Sequence, residues 1–159
     1  MISDSGINAA ISAFIRHSEL GSIKYVSKDN KISMEIIIKG YIEDKQKQQF
    51  IHKTYEALNL FYQLQQIKTD HLQIKFIAYA DISIITLIRD DRSLCEEEID
   101  LFVTLTEMEF SARLLNDENE AVSYQDIQQA VIDNIKYKIR PDQKVIAYRD
   151  QGKMFIFNQ

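Results

Sequence analysis

The chain has 159 residues, of which 45% are hydrophobic and 27% are charged, and its formal net charge is −5. This length is enough to bury one hydrophobic core, and the ordinary composition without low-complexity runs argues against the disordered and fibrous classes. We therefore predict that residues 1–159 form a single globular domain.

The sequence contains a single cysteine, which bears on the redox compartment of the protein and on the metal sites that it could form. Cys95 cannot form an internal disulfide, and a structural zinc site needs clustered Cys and His ligands. The N-terminus lacks the basic and apolar regions of a signal peptide, and no apolar run approaches the ~20 residues of a membrane span. These observations predict a cytoplasmic protein without a membrane partner.

The first part of the chain reads as a helix followed by a hairpin. Apolar residues at helical spacing from Ile7 to Ile15 predict the first helix, which Gly21 is expected to end. Two alternating runs follow, one around Ile23 and one from Ile32 to Ile38. Residues 28–31 lie between them, and their Asp and Asn tolerate the positive φ of a tight hairpin turn.

The same order then repeats. A helical stripe from Phe50 to Tyr62 predicts the second helix. Two apolar runs follow, Leu72 to Ala78 and Ile82 to Ile88, and Asp81 is the only turn-like residue between them. We favour two paired strands here over one long bent strand, because strands rarely exceed ~10 residues. Residues 93–96, Ser-Leu-Cys-Glu, then match a capping box at the start of a third helix.

The C-terminal part predicts one more helix and one more hairpin. Ser123 to Ile135 has helical spacing. Lys144 to Tyr148 and Lys153 to Phe157 flank the turn-like residues 150–152, which predicts a third hairpin. The run Met154–Phe157 does not alternate, so we expect both faces of the last strand to be covered, within the domain rather than at a subunit contact.

This order implies an α+β fold in two layers, with a mainly antiparallel sheet of about six strands in three hairpins and about four helices. In element order, Ile7 to Leu115 resembles profilin-type folds such as the roadblock and longin modules, and the resemblance implies a dimerising scaffold or adaptor. The expected core residues are Ile32, Met34, Ile36, Ile74, Phe76, Ile84 and Phe102.

The residues that could carry chemistry do not form a known pattern. Four glycines are too few and too dispersed for a phosphate loop or a dinucleotide motif. His17, His52 and His71 are scattered, and we interpret them as packing or surface residues. Cys95 adjoins a helix start, which would lower the pKa of its thiol, but the neighbouring acids would raise this pKa. We therefore favour a structural role for Cys95. Residues 43–45 match the acid-x-lysine pattern of metal-dependent nucleases. They lie at a strand–helix junction, however, whereas the nuclease residues project from core strands. We therefore assign no catalytic, cofactor-binding or metal-binding residues.

Acidic side chains are concentrated between residues 90 and 120, which contain eleven acids and two arginines. Carboxylates in a first helical turn interact favourably with the helix dipole, so we predict that those from Asp90 to Asp100 are mostly exposed and bind no essential metal. Binding to nucleic acid needs a concentrated basic surface, and no basic run is present. We therefore predict no nucleic-acid partner.

These exclusions favour a non-catalytic protein-interaction module, a homodimeric adaptor or regulatory protein with a protein partner. One alternative is a small acidic secretion-type chaperone that binds an extended client. Another is a metal-dependent hydrolase that uses the acidic residues. Co-purification with an unfolded segment would favour the chaperone, and a cation with three or more protein oxygen ligands would favour the hydrolase.

Overall fold

The computed structural model describes residues 5–26, 28–114, 143–150 and 153–156. Helices alternate with pairs of strands through these ranges, as the predicted α+β order requires. In chain order they are α1 (Ser5–Arg16), β1 (Leu20–Val26), β2 (Lys31–Lys39), α2 (Asp44–Gln65), β3 (Leu72–Tyr79), β4 (Ile82–Asp90), α3 (Glu96–Phe110), a 3₁₀ turn (Ser111–Arg113), β5 (Gln143–Asp150) and β6 (Lys153–Ile156).

The strands form one sheet in the order β3-β4-β2-β1-β5-β6, in which every pairing is antiparallel. The first two hairpins join side by side through β2 and β4, where Ile36 lies opposite Ile85. The α+β class and the antiparallel sheet are therefore confirmed. The predicted count of four helices is not matched, since the described ranges hold three α-helices. The helix predicted between Ser123 and Ile135 lies outside those ranges.

Two hairpin turns depend on residues with positive φ. Asn30 has a φ of 54°, as the Asp-Asn turn predicts. The β3–β4 turn consists of Ala80, with a φ of 52°, and Asp81. The Asp81 carbonyl accepts a hydrogen bond from Gly40 N at 2.7 Å, which ties this turn to the end of β2. The prediction of two strands rather than one bent strand is confirmed.

Gly21 does not end the first helix. That helix ends at Arg16, and Gly21 lies inside β1. The register between β1 and β2 shifts between Leu20 and Ser22, and a Cβ on Gly21 would lie 3.0 Å from Ile37 Cδ1. A glycine within a strand is typical of such a bulge or close approach. The residue therefore serves the sheet rather than the helix terminus.

The main core lies between the three helices and one face of the sheet. Alternate residues of β2 enter it, as a strand with one face on a core requires. Phe76 is only partly buried against this core. The predicted residues that belong to it are Ile32, Met34, Ile36, Ile74 and Phe102.

The opposite face of the central strands is also buried. Ile84 of β4 lies opposite Ile37 of β2, and these residues are 2% and 7% exposed although neither belongs to the helix-facing core. Ile84 is thus buried as predicted, but on the other side of the sheet. A strand that is buried on both faces does not alternate, which explains the nearly continuous apolar run Ile82 to Ile88.

The C-terminal hairpin is formed by β5 and β6, with β6 at the edge of the sheet. Phe155 stacks on Tyr148 of the neighbouring strand, with the ring centroids 5.1 Å apart, but it remains 38% exposed. A position in an edge strand leaves one side of this ring open to solvent. The expectation that both faces of the last strand are covered is therefore wrong for the face that carries Phe155.

Arg149 connects β5 to α1. Its guanidinium donates hydrogen bonds to the carbonyl oxygens of Phe14, His17 (2.8 Å) and Leu20 (2.9 Å), and it lies 4.3 Å from the centroid of the Phe14 ring. The last carbonyls of a helix have no partner inside the helix. Arg149 therefore closes the C-terminal end of α1 from the last described hairpin.

None of the helices within the described ranges is long and apolar enough to cross a membrane.

The β3–β4 turn gives a first test of the fold. We expect Ala80→Gly to raise the free energy of unfolding by about 0.5–1 kcal/mol, because an L-residue in the left-handed region is strained and glycine is not. Ala78→Gly, at an exposed strand position, is the control and should lower it by about 0.5–1 kcal/mol. Urea unfolding measures both changes. Equal destabilisation by the two substitutions would contradict the turn geometry.

Candidate functional site

The inward-facing row of β4 ends in a buried arginine. Arg89 follows Ile85 and Leu87 on the same face of the strand, because alternate residues share a face. Its guanidinium donates to both carboxylate oxygens of Glu98, at 2.9 and 3.0 Å, and to the Tyr62 hydroxyl at 2.9 Å. A buried charge is costly unless it is paired and hydrogen-bonded. The start of α3 supplies the required counter-charge.

Residues at the end of β4, after it and before β3 bind the remaining donors of Arg89. Nη1 donates to the Asp90 carboxylate and to the His71 carbonyl, and Nη2 donates to Ser93 Oγ at 2.9 Å. Burial by itself would raise the pKa of the Asp90 carboxyl. Hydrogen bonds from Ser93 and the charge of Arg89 outweigh burial and lower this pKa to about 2.

Tyr62 brings α2 into the same cluster. Its hydroxyl donates to Glu98 Oε2 at 2.6 Å, and the Arg89 guanidinium lies 5.0 Å from the centroid of its ring. Burial and the neighbouring Glu98 carboxylate raise the pKa of Tyr62 well above its ordinary value. This cluster, which we call the Arg89 cluster, comprises Tyr62, Arg89, Asp90, Ser93 and Glu98. It joins two helices to the sheet.

The helix start differs from the predicted capping box. The N-cap of α3 is Cys95 rather than Ser93, and Glu98 Oε1 accepts a hydrogen bond from Cys95 N at 3.2 Å. The Ser93 hydroxyl instead donates to Asp90 Oδ2 at 2.7 Å. Burial, with Glu98 and Glu97 nearby, raises the pKa of the Cys95 thiol, and only a hydrogen bond from the Glu98 backbone N–H to the Cys95 side chain opposes this. A thiol that stays protonated fits the predicted structural role.

The prediction that the acids before and at the start of α3 are mostly exposed is wrong. Asp90, Asp91 and Glu98 are buried. Asp91 Oδ2 accepts a hydrogen bond from the Tyr25 hydroxyl at 3.1 Å, and the other two neutralise Arg89. The cause is that β4 places the Arg89 cation in the core, where Asp90 and Glu98 are buried with it and neutralise its charge. Within the described ranges, no group of three His, Cys, Asp or Glu residues is arranged to hold a metal ion.

Two other acids of α3 bind α1. Glu96 Oε1 accepts hydrogen bonds from Arg16 Nε at 2.6 Å and from Ser12 Oγ at 2.8 Å. Asp100 Oδ1 accepts from Arg16 Nη2 at 2.7 Å and lies 2.7 Å from His17 Nε2. His17 therefore packs at a helix junction.

Two carboxylates meet at the other side of His17. Glu19 Oε2 lies 3.9 Å from His17 Nδ1. A hydrogen bond to Glu19, together with burial and the charge of Glu19, raises the pKa of Glu107 to about 7. Two adjacent carboxylates cannot both ionise at ordinary cost, so one retains a proton near neutral pH.

The remaining candidates are separated from one another. His52 is exposed on α2, where its Nε2 lies 3.0 Å from Glu56 Oε1, and the His71 backbone interacts with the Arg89 cluster. The acid-x-lysine match is the start of α2: Glu43 is its N-cap, and the exposed Asp44 carboxylate lies 3.8 Å from Lys47 Nζ. The structure does not bring these residues together.

Exposed apolar side chains occur on α2 and α3. Leu60 and Leu64 of α2 are 56% and 72% exposed, and Met108 of α3 is 77% exposed. Residues at i, i+3, i+4 and i+7 share one side of a helix. The apolar residues with this spacing are Ala57, Leu60, Phe61 and Leu64 on α2, and Leu101, Leu105 and Met108 on α3.

The two helices are antiparallel neighbours. Tyr62, near the end of α2, bonds to Glu98 at the start of α3. Gln46, at the start of α2, donates to Glu109 Oε1 near the end of α3 at 3.3 Å. These two contacts fix which ends of the helices lie together.

The apolar stripes border the groove between the helices. Leu64 lies about five turns after Gln46 and therefore on the same side of α2, the side that reaches α3. Leu105 and Leu101 lie about one and two turns before Glu109, on the side of α3 that reaches α2. We call this surface the α2–α3 groove. It is formed by Ala57, Leu60, Phe61, Leu64, Leu101 and Leu105.

No family model matches this chain, and no curated protein or solved structure matches it significantly. The resemblance to roadblock and longin modules therefore stays a prediction from the element order.

The sequence contains signals for the exposed leucines of α2 and for the buried Arg89, although neither feature was predicted. Leu60 and Leu64 are one turn apart and fall outside the stripe from Phe50 to Tyr62 that predicts the buried side of α2. Arg89 continues the alternation of Ile85 and Leu87, which places it on the inward face. The recognisable patterns are an apolar pair that lies away from the buried side of a helix, and a cation at an inward-facing position of a strand.

The Arg89 cluster can be tested by stability. We expect Arg89→Met to lower the free energy of unfolding by about 3–5 kcal/mol, because Glu98 remains buried without its counter-charge. The double variant Arg89→Met/Glu98→Met should lose less, and the exposed Arg92→Met control should change it by less than about 0.5 kcal/mol. Urea unfolding measures all three. A double variant less stable than Arg89→Met alone would contradict the pairing.

The carboxylate pair predicts a pH dependence. The pKa of Glu107 in the folded protein is about 7, above the ordinary 4.5, so folding favours its protonated form. This contribution is complete below the ordinary pKa and is lost as the pH rises through 7. We expect Glu107→Gln to reduce the fall in melting temperature between pH 5 and 8.5, whereas Glu109→Gln should retain it. Identical pH profiles for wild type and Glu107→Gln would rule out the pair.

Proposed function

We propose that this chain is a non-catalytic protein-interaction module and that the α2–α3 groove is its contact surface. The observation that carries the proposal is the exposure of Leu60 and Leu64 beside the half-buried Leu101 and Leu105. Single apolar residues on a surface are ordinary. Two apolar stripes on neighbouring helices that border one groove are typical of a binding surface.

The groove suits a helical partner in chemical terms. Leucine side chains at i and i+4 on one helix, opposite leucines on an antiparallel neighbour, leave a channel between two ridges. An amphipathic helix binds such a channel with anchors at similar spacing. The interaction module therefore has a defined recognition mode.

The pairing of the polar side chains supports a non-catalytic role. The donors of Arg89 bind Glu98, Asp90 and Ser93, and Tyr62 binds the same Glu98. A catalytic group must face a substrate and exchange protons with it. These side chains instead face one another in the interior, where they hold helices on the sheet.

The hydrolase alternative would draw on acids that already have partners. Asp90 accepts hydrogen bonds from Ser93, Asp91 accepts one from Tyr25, and Glu98 pairs with Arg89. A metal ion would have to displace these donors. No observation within the described ranges favours the secretion-type chaperone over the interaction module.

A photo-crosslinking amino acid at position 64 tests the proposal in the cells that naturally produce the chain. We expect benzoylphenylalanine in place of Leu64 to form covalent adducts with protein, because this side chain lies in the groove. The control places the same probe at Asn8, which is exposed on α1. Leu60→Asp in the probe-bearing chain should abolish the adduct. Absence of any protein adduct at position 64, or equal adducts at both positions, would contradict the proposed contact surface.

A further inference from the structure

We propose that Tyr55 and Lys75 prevent the free edge of the sheet from pairing with a second copy of this chain. In the sheet that the structure describes, β3 is a terminal strand with β4 on one side only. The unpaired backbone groups of a terminal strand are a template for another strand, and native proteins block such edges. This surface is distinct from the α2–α3 groove, so the inference does not depend on the proposed function.

The backbone groups that face outward belong to alternate residues of β3. Asp90 N donates a hydrogen bond to the His71 carbonyl at 3.4 Å, just before Leu72 lies opposite Arg89 in the ladder. The backbone of residue 71 therefore points toward β4. Because this direction alternates along an antiparallel strand, the N–H and C=O groups of residues 72, 74, 76 and 78 point to the free edge.

Tyr55 of α2 already occupies one of these outward groups. Its hydroxyl accepts a hydrogen bond from Ile74 N at 3.0 Å, and its side chain is half-buried against the core. Phe50, earlier on the same helix, packs against the ring of Phe76 with the centroids 5.8 Å apart. These contacts hold α2 over β3. A strand that pairs with this edge must therefore displace the Tyr55 hydroxyl from the Ile74 N–H.

Lys75 opposes the register in which two copies of β3 would pair most completely. All four outward-facing residues of one copy find partners only if residue 74 lies opposite residue 76 of the other. The twofold axis of this antiparallel pair passes through residue 75. It places the two exposed lysines directly opposite each other, and like charges in that position destabilise a strand pair.

The two obstacles lie on opposite faces of the sheet. Tyr55 approaches from the helix-covered face, whereas Lys75 alternates with the buried Ile74 and so projects from the other face. The lysine is an obstacle chiefly to a second copy, because a foreign strand with an acid at this point would be attracted instead. The pairing that this edge resists is therefore self-pairing.

A symmetric disulfide would report this pairing directly. In the register centred on residue 75, the two Cα atoms at this position would lie about 4.5 Å apart, within the range of a disulfide. Lys75→Cys therefore removes the charge and supplies the probe. Gln73→Cys is the matched control, because it is exposed on the same strand but would lie opposite residue 77. All variants carry Cys95→Ser, since serine is a favoured N-cap residue.

We expect Tyr55→Phe to raise the rate of disulfide-dimer formation by Lys75→Cys about tenfold under mild oxidation, because each copy then releases one backbone donor for pairing. The rate for Gln73→Cys should not change. Phenylalanine keeps the ring that packs on the core. Tyr55→Leu also lacks the hydroxyl and should give the same increase, so the test does not depend on the folding of one variant.

The role of the lysine is tested in the Tyr55→Phe chain by sedimentation velocity. We expect Tyr55→Phe/Lys75→Thr to self-associate at concentrations about fivefold lower than Tyr55→Phe, and Tyr55→Phe/Gln73→Thr to behave like Tyr55→Phe. Equal disulfide rates with and without the Tyr55 hydroxyl, or equal rates for the probes at positions 73 and 75, would overturn the blocking role of Tyr55. Unchanged association after Lys75→Thr would overturn that of Lys75.

Discussion

The structure depends on the neutralisation of Arg89. A guanidinium enclosed between a sheet and two helices loses its hydration, and only close carboxylates and hydroxyls can replace that water. Glu98 fixes where α3 begins, Tyr62 fixes the end of α2, and Asp90 fixes the loop between strand and helix. One cation thus determines how the helices are positioned over the central strands. The relative position of α2 and α3, and therefore the groove between them, depends on these contacts of Arg89.

The antiparallel sheet could be predicted because alternation and turn chemistry are local properties. The turn at Asn30 and the short loop at Asp81 are both visible within a few residues. The pairing of β2 with β4 is different, since it joins residues about 50 positions apart and depends on the packing of two hairpins. A strand's own sequence does not determine which distant strand it pairs with.

Errors in the sequence-based interpretation arose where tertiary contacts override local rules. Acids in a first helical turn are ordinarily solvated, but Glu98 is drawn inward by a cation nine residues earlier. Gly21 was a plausible helix end by local rules, and its actual role depends on Ile37 across the sheet. The exposed leucines were missed for the opposite reason: the strong buried stripe of α2 accounted for a helix without them.

The contact of Arg149 with α1 has a consequence for the order of folding. The carbonyls that it closes belong to residues 14, 17 and 20, so they are synthesised more than 125 residues before their partner. During synthesis the first helix leaves the ribosome long before its C-terminal end can be completed. Long sequence separation between partners slows folding. The contacts of this helix with α3 can form as soon as Glu96 and Asp100 have been synthesised, but its C-terminal carbonyls lack their arginine donor until almost all of the protein exists.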